Sequence, residues 1–197
     1  MVNHPESTSG WHGLRTVFLD RDGVINQKMP EGSYVRSPAE LKLLHGAAEA
    51  IAHLNRAGLR TIVVSNQRGI ALGLYTAADV LAIQAAIEER LALDGARLDG
   101  FYFCPHDKGE CNCRKPLPGM FEQAVADHPD ISAAASVMIG DSLSDMEFGH
   151  RLGMRTILIE HNREGRKART QRASQLAERY NSLAEAVDSL LKDRAPR

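Results

Sequence analysis

Cysteine is scarce in this chain of 197 residues: Cys104, Cys111 and Cys113 are all there are. An odd number confined to one short stretch makes a poor disulfide framework, and with His106 close by it reads instead as a metal site in a reducing compartment. Charge of either sign is not in excess either. Lys and Arg number 24 against 25 Asp and Glu, a formal net charge of -1. That balance offers no basic stripe for nucleic acid or an acidic membrane surface. No apolar run is long enough to span a bilayer. Residues 1–13 are polar and lack the apolar stretch of a secretory signal. No internal repeat or domain boundary stands out. We therefore expect a loose leader over 1–13 and one domain over 14–197, in a cytoplasmic monomer with no membrane or nucleic-acid partner.

What is present is an alternation of short apolar runs and longer helical patterns. Strands are expected at 16–19, 59–64, 101–103, 136–139 and 156–159, and helices at 46–57, 76–93, 120–126, 146–152 and 182–191. Thr76 with Asp79, and Ser182 with Glu185, have the spacing of capping boxes. The segment 162–179 is charged and weakly periodic, and its structure stays open. A hydrophobic content of 43% in a chain this long supports a full core. The predicted fold is α/β, a doubly wound and mostly parallel sheet with helices on both faces. In such sheets ligands collect at the C-terminal strand edge.

Three strands deliver polar residues to that edge. Asp20 follows the first strand directly, with Asp22 two residues on and Gly23 after it. One carboxylate can attack phosphorus while the other exchanges protons with the leaving and entering oxygens. Alone, an Asp-x-Asp loop is as readily a solvated turn. The second strand runs into Ser65, Asn66, Gln67, Arg68 and Gly69, a hydroxyl and a run of amides suited to phosphate oxygens. Lys115 offers a cation. After a further strand, Asp141 can hold Mg²⁺ and Asp145 can support a neighbour; a bland alternative is a helix N-cap at Ser144 or Asp145. Each feature has an ordinary explanation singly, but the four in order do not.

Cys104, Pro105 and His106, then Cys111, Asn112 and Cys113, supply three thiolates and one imidazole, a tetrahedral Zn²⁺ set with no open position. The intervening loop has too few apolar residues to order itself, so the metal would be structural. Arg114 and Lys115 follow at once, so the same loop would deliver both cations.

These motifs resemble those of the haloacid dehalogenase superfamily of phosphatases: DRDGV at 20–24, the hydroxyl of Ser65, Lys115, and GDSLSD at 140–145. The resemblance implies a Rossmann-like, cap-less fold carrying a zinc-binding loop. It implies that Asp20 is the nucleophile, that Asp22 is the general acid/base, and that Ser65 and Lys115 hold the phosphoryl group. Mg²⁺ would be bound by Asp20, Asp141 and the backbone carbonyl of Asp22. Together with SNQRGIALG, LDGFYFCPH and CNCRKPLPGM, they are similar to the D-glycero-D-manno-heptose 1,7-bisphosphate phosphatases. Those enzymes remove a 7-phosphate in making activated heptose for lipopolysaccharide and other surface glycans. The substrate-contacting residues that this implies are Arg21, Lys28, Met29, Pro30, Glu31, Asn66, Gln67, Arg68, Arg114 and Ser142. Ser142 stands where some members have lysine, and the zinc loop is shorter than is usual there. Histidinol-phosphate phosphatases share several of the motifs and remain an alternative, as does either anomer of the heptose. A non-catalytic zinc-organised binding module would not need the nucleophile.

Overall fold

The computed structural model describes residues 11, 13–30, 32–161 and 177–194. Six strands form one parallel sheet: β1 (Thr16–Leu19), β2 (Arg60–Asn66), β3 (Gly100–Cys104), β4 (Ser136–Gly140), β5 (Arg155–Ile159) and β6 (Glu178–Tyr180), in the order β3-β2-β1-β4-β5-β6. The chain winds outward from β1 in both directions. The strand order therefore reverses between β1 and β4, and a crevice opens at their C-terminal ends.

Successive residues of the central strands face opposite layers, because strand side chains alternate. Val17 and Leu19, Val63, Val137 and Ile139, and Ile157 and Ile159 face one core. That core also takes buried side chains from α1 (Ala47–Arg56), α2 (Ala77–Ala92) and α5 (Leu183–Arg194). Phe18, Ile62, Val64 and Met138 face the other, packing with Met120 and Ala124 of α3 (Gly119–Asp127) and Phe148 of α4 (Leu143–Leu152). Burial on both sides explains why these strands read as unbroken apolar runs.

Thr76 caps α2 with the reciprocal bonds of a capping box: its hydroxyl accepts from the Asp79 amide, and the Asp79 carboxylate accepts from the Thr76 amide. At α5 only half of that pattern forms. The Ser182 hydroxyl accepts from the Glu185 amide, but the Glu185 carboxylate takes the Asn181 amide. Helix α4 starts earlier than its apolar pattern suggests, and its N-cap is Ser142 rather than Ser144 or Asp145. The edge strand β6 falls partly inside the charged, weakly periodic segment 162–179, of which residues 162–176 lie outside the described ones. Most of the expected leader does too, but Trp11 is buried, 2% exposed, with the Arg155 guanidinium stacked 3.3 Å from its ring centroid. Among the described residues no separate cap domain interrupts the sheet, and no helix is long and apolar enough to cross a membrane.

Candidate active site

The crevice between β1 and β4 collects the acidic residues expected there. Asp20 leaves the end of β1, where its amide bonds the Ile139 carbonyl of β4. Asp141 follows β4, and carboxylate oxygens of Asp20, Asp141 and Asp145 lie within 4.8 Å of one another. Gly23, at φ +95°, lets the first loop turn back here. A Cβ at Gly23 would run into the Asp141 carboxylate, so glycine is what allows the two loops to close on each other.

Lys115 enters this acidic group almost fully buried. Its Nζ donates to Asp20 Oδ1 at 2.9 Å and to the Val64 carbonyl at 2.6 Å, and pairs with Asp145 Oδ1 at 2.7 Å. Burial alone would lower the ammonium's pKa; Asp145 and Asp20 outweigh it and keep the ammonium charged. Asp145 is fixed in turn at the start of α4, accepting from the Ser142 amide at 3.1 Å. Burial, and next Asp145 and Asp141, push the Asp20 carboxyl up to about 7 against the opposing pull of Lys115. Crowded carboxylates in a buried crevice call for a hard cation, and oxygen donors of this kind suit Mg²⁺. Lys28 supplies positive charge at the same place, with Nζ 2.6 and 2.8 Å from the two Asp141 oxygens.

Asp22 is held differently. Its carboxylate accepts from Arg21 Nε at 3.1 Å and Nη2 at 2.9 Å, from Asn26 Nδ2 at 2.9 Å and from Gln67 Nε2 at 3.0 Å. Gln67 Nε2 also donates to Ser65 Oγ at 2.7 Å, and its Oε1 accepts from the Tyr75 hydroxyl at 2.8 Å. Gln67 thus ties the acid/base candidate to the phosphate-binding candidate.

A cleft of about 290 Å³ opens over these groups. Its walls include Asp20, Asp22, Ser65 and Lys115 together with Lys28, Met29, Pro30, Asn66, Arg114 and Ser142. These expected site residues are brought together. Three others are placed otherwise. Arg21 and Gln67 border the cleft but are 1% and 2% exposed, their polar ends engaged with Asp22 and its neighbours. Arg68 is outside the cleft and pairs with Asp107. The expected contact Glu31 lies outside the described residues. Asn26, Tyr75 and His161 were not foreseen. Asn26 sits within the first motif and could have been questioned there. His161, whose Nε2 meets the Gly23 carbonyl, has no local signal that points to it.

The cysteine loop also comes together. The Sγ atoms of Cys104 and Cys113 lie 3.5 and 3.3 Å from that of Cys111, and His106 Nδ1 is 3.8 and 3.4 Å from Cys104 and Cys113. The cysteines are free thiols. Tetrahedral thiolates at ordinary Zn–S lengths would be ~3.8 Å apart, so this group would need to spread by only a few tenths of an ångström to take a metal. Burial holds the Cys104 and Cys113 thiols up, disfavouring thiolates until a cation compensates them.

Residues 112–186 match the family model described as HAD-hydrolase-like. Over 137 residues the chain is 43% identical to the D-glycero-alpha-D-manno-heptose-1,7-bisphosphate 7-phosphatase of Mycobacterium tuberculosis, covering 69% of this chain and 72% of that one. The chain belongs to the heptose-1,7-bisphosphate 7-phosphatase family. Within that family, the D-glycero-beta-D-manno-heptose-1,7-bisphosphate 7-phosphatase of Bordetella bronchiseptica is 35% identical over 182 residues, 91% of this chain and 99% of its own. A crystal structure of the D,D-heptose 1,7-bisphosphate phosphatase from B. bronchiseptica with magnesium and phosphate superposes with a TM-score of 0.80 at 31% identity. It covers 91% of this chain and 99% of that one.

Proposed function

We propose that this protein hydrolyses the 7-phosphate of a D-glycero-D-manno-heptose 1,7-bisphosphate through a phospho-aspartate on Asp20. The observation that carries the reading is the convergence of Asp20, Asp141 and Lys115 at the strand switch point, in a chain of this family.

Asp20 attacks the 7-phosphorus while Asp22 gives a proton to the departing C7 oxygen. The Asp20–phosphorus bond forms, the phosphorus–oxygen bond breaks, and the dephosphorylated sugar leaves with its hydroxyl. Asp22, now a carboxylate, takes a proton from water. The hydroxide equivalent attacks the aspartyl phosphate, releasing phosphate and regenerating Asp20. The donors around Asp22 hold its carboxylate in one orientation for both transfers. Ser65 and Lys115 hold the phosphoryl oxygens. Bound through Asp20, Asp141 and the Asp22 carbonyl, Mg²⁺ would neutralise charge that otherwise repels the nucleophile. Zn²⁺ in the Cys104, His106, Cys111 and Cys113 group would hold the loop that presents Arg114 and Lys115. Arg114, at the cleft wall, suits the non-reacting 1-phosphate, because its fork binds oxyanions bidentately.

Phosphate release from both anomers of the bisphosphate, from heptose 7-phosphate and from histidinol phosphate, with and without Mg²⁺, tests the assignment. One bisphosphate anomer should have the highest kcat/KM. Arg114→Ala should erase its advantage over the monophosphate. A preference for histidinol phosphate would overturn the substrate.

A further inference from the structure

Arg68 and Asp107 form an ion pair across a gap in the chain that the catalytic scheme does not use. Arg68 Nε donates to Asp107 Oδ1 at 2.6 Å, and Nη2 donates to Oδ2 at 3.0 Å. Both oxygens meet the planar fork, the arrangement that most restricts the relative orientation of two loops. The side chains are 38% and 28% exposed. An isolated pair at that exposure contributes little to stability. What sets this one apart is where it is anchored.

Asn66, Gln67 and Arg68 are consecutive, and each grips the cysteine loop at a different place. The Asn66 amide brackets the Lys115 backbone, donating to its carbonyl at 3.1 Å and accepting from its N–H at 3.0 Å. The Gln67 backbone N–H donates to the Cys104 carbonyl at 2.8 Å. Those two grips fix the ends of the loop. Arg68 holds its middle, one residue past His106. Asp107 also shapes the tip: its carboxylate accepts from the Lys108 amide at 2.6 Å, and its own amide donates to Glu110 at 2.8 Å. On the far side of the same peptide, the His106 carbonyl lies 3.4 Å from Arg114 Nη1. A chain of contacts thus runs from the end of β2, through Arg68 and Asp107, to the arginine at the cleft wall.

We infer that Arg68 and Asp107 are positioning residues that pin the middle of the cysteine loop to the β2 loop and so set where Arg114 meets the substrate. The pin is independent of the thiol and imidazole donors, since neither partner is among them. It therefore holds the loop even without metal.

The test measures hydrogen exchange of the backbone amides over 105–112 in the full chain, both as purified and after chelator treatment. Arg68→Ala, Asp107→Ala and the double variant are compared with the unaltered protein. Because the two groups act as one unit, each single variant should exchange about fivefold faster and the double no faster than the faster single. The second arm rests on the bisphosphatase reading. Asp107→Ala should raise KM for the heptose bisphosphate about fivefold with little change in kcat, and leave KM for a small aryl phosphate near its original value. Unaltered exchange in either single variant, or additive acceleration in the double, overturns the inference. So does an unchanged bisphosphate KM in Asp107→Ala. If the unaltered protein does not hydrolyse the bisphosphate, the substrate assignment falls, and the exchange arm alone decides the pair.

Discussion

In the proposed mechanism Asp20 is the nucleophile, and the structure gives it both burial and rigid attachment at the end of β1. Asp20→Asn should reduce turnover by at least a thousandfold, because an amide cannot attack phosphorus, and no phosphoenzyme should be trapped by acid quench. Near-normal turnover would overturn the proposed mechanism. The same burial has a pH consequence. With its carboxyl raised to about 7, folded Asp20 holds its proton more tightly than the unfolded chain does. The metal-free fold therefore gains from this group as pH falls from about 7 toward ordinary carboxylate values, and loses as pH rises through that window. Mg²⁺ needs the anion, so protons compete with it. Calorimetric Mg²⁺ affinity should drop about fivefold between pH 7 and pH 6, as the ionised fraction of Asp20 falls from about a half to about a tenth, and a flat profile would refute the competition. At this scale the sequence revealed residue types better than directions. Asp20, Ser65 and Asp141 were legible as one group because strand ends aim them at one edge, and Lys115 reaches the same edge from the cysteine loop. Arg21, Gln67 and Arg68 were legible as polar, but whether such a side chain meets solvent, substrate or a neighbour depends on partners far along the chain, such as Asp107 and Tyr75.

Among the elements, the central strands were readable from their apolar runs, and α2 from its cap and length. The β6 strand was not, since Glu178–Tyr180 lies at an edge, largely exposed and without an apolar pattern. The start of α4 was missed because its first turn is polar for a reason outside the helix: Asp145 serves Lys115. The turn after β2 permits a sharp prediction. A Cβ at Gly69 would collide with the Tyr75 ring, whose hydroxyl holds Gln67 against Asp22 and Ser65. Gly69→Ala should cost about 1–3 kcal/mol in denaturant unfolding and should lower kcat as the Gln67 bridge shifts. By comparison, Thr76→Ala removes only the cap of α2. It should cost about 1 kcal/mol with kcat unchanged, since the cap touches none of the cleft residues. Equal effects of the two on kcat would show that Tyr75 does not act through Gln67.

For the whole molecule, two centres of opposite chemical character share one framework. Oxygen donors gather at the switch point, while sulfur and nitrogen donors gather at the end of β3 and in the loop that follows it. Protein purified without chelators should hold close to one Zn²⁺ per chain. A soft-metal chelator should remove it, lowering activity while far-ultraviolet circular dichroism changes little, because most strand pairing and helix packing lies outside that loop. Protein free of zinc on elemental analysis would overturn the assignment. At the end of the sheet away from both centres lies the chain's single tryptophan. Trp11 is buried beneath Arg155 at the start of β5, so the molecule carries its own optical reporter there. Its emission should shift to the red when the N-terminal segment peels off or the fold melts, yet stay constant when Mg²⁺, Zn²⁺ or sugar phosphate binds. That separation lets one fluorescence titration distinguish loss of the scaffold from occupation of the site.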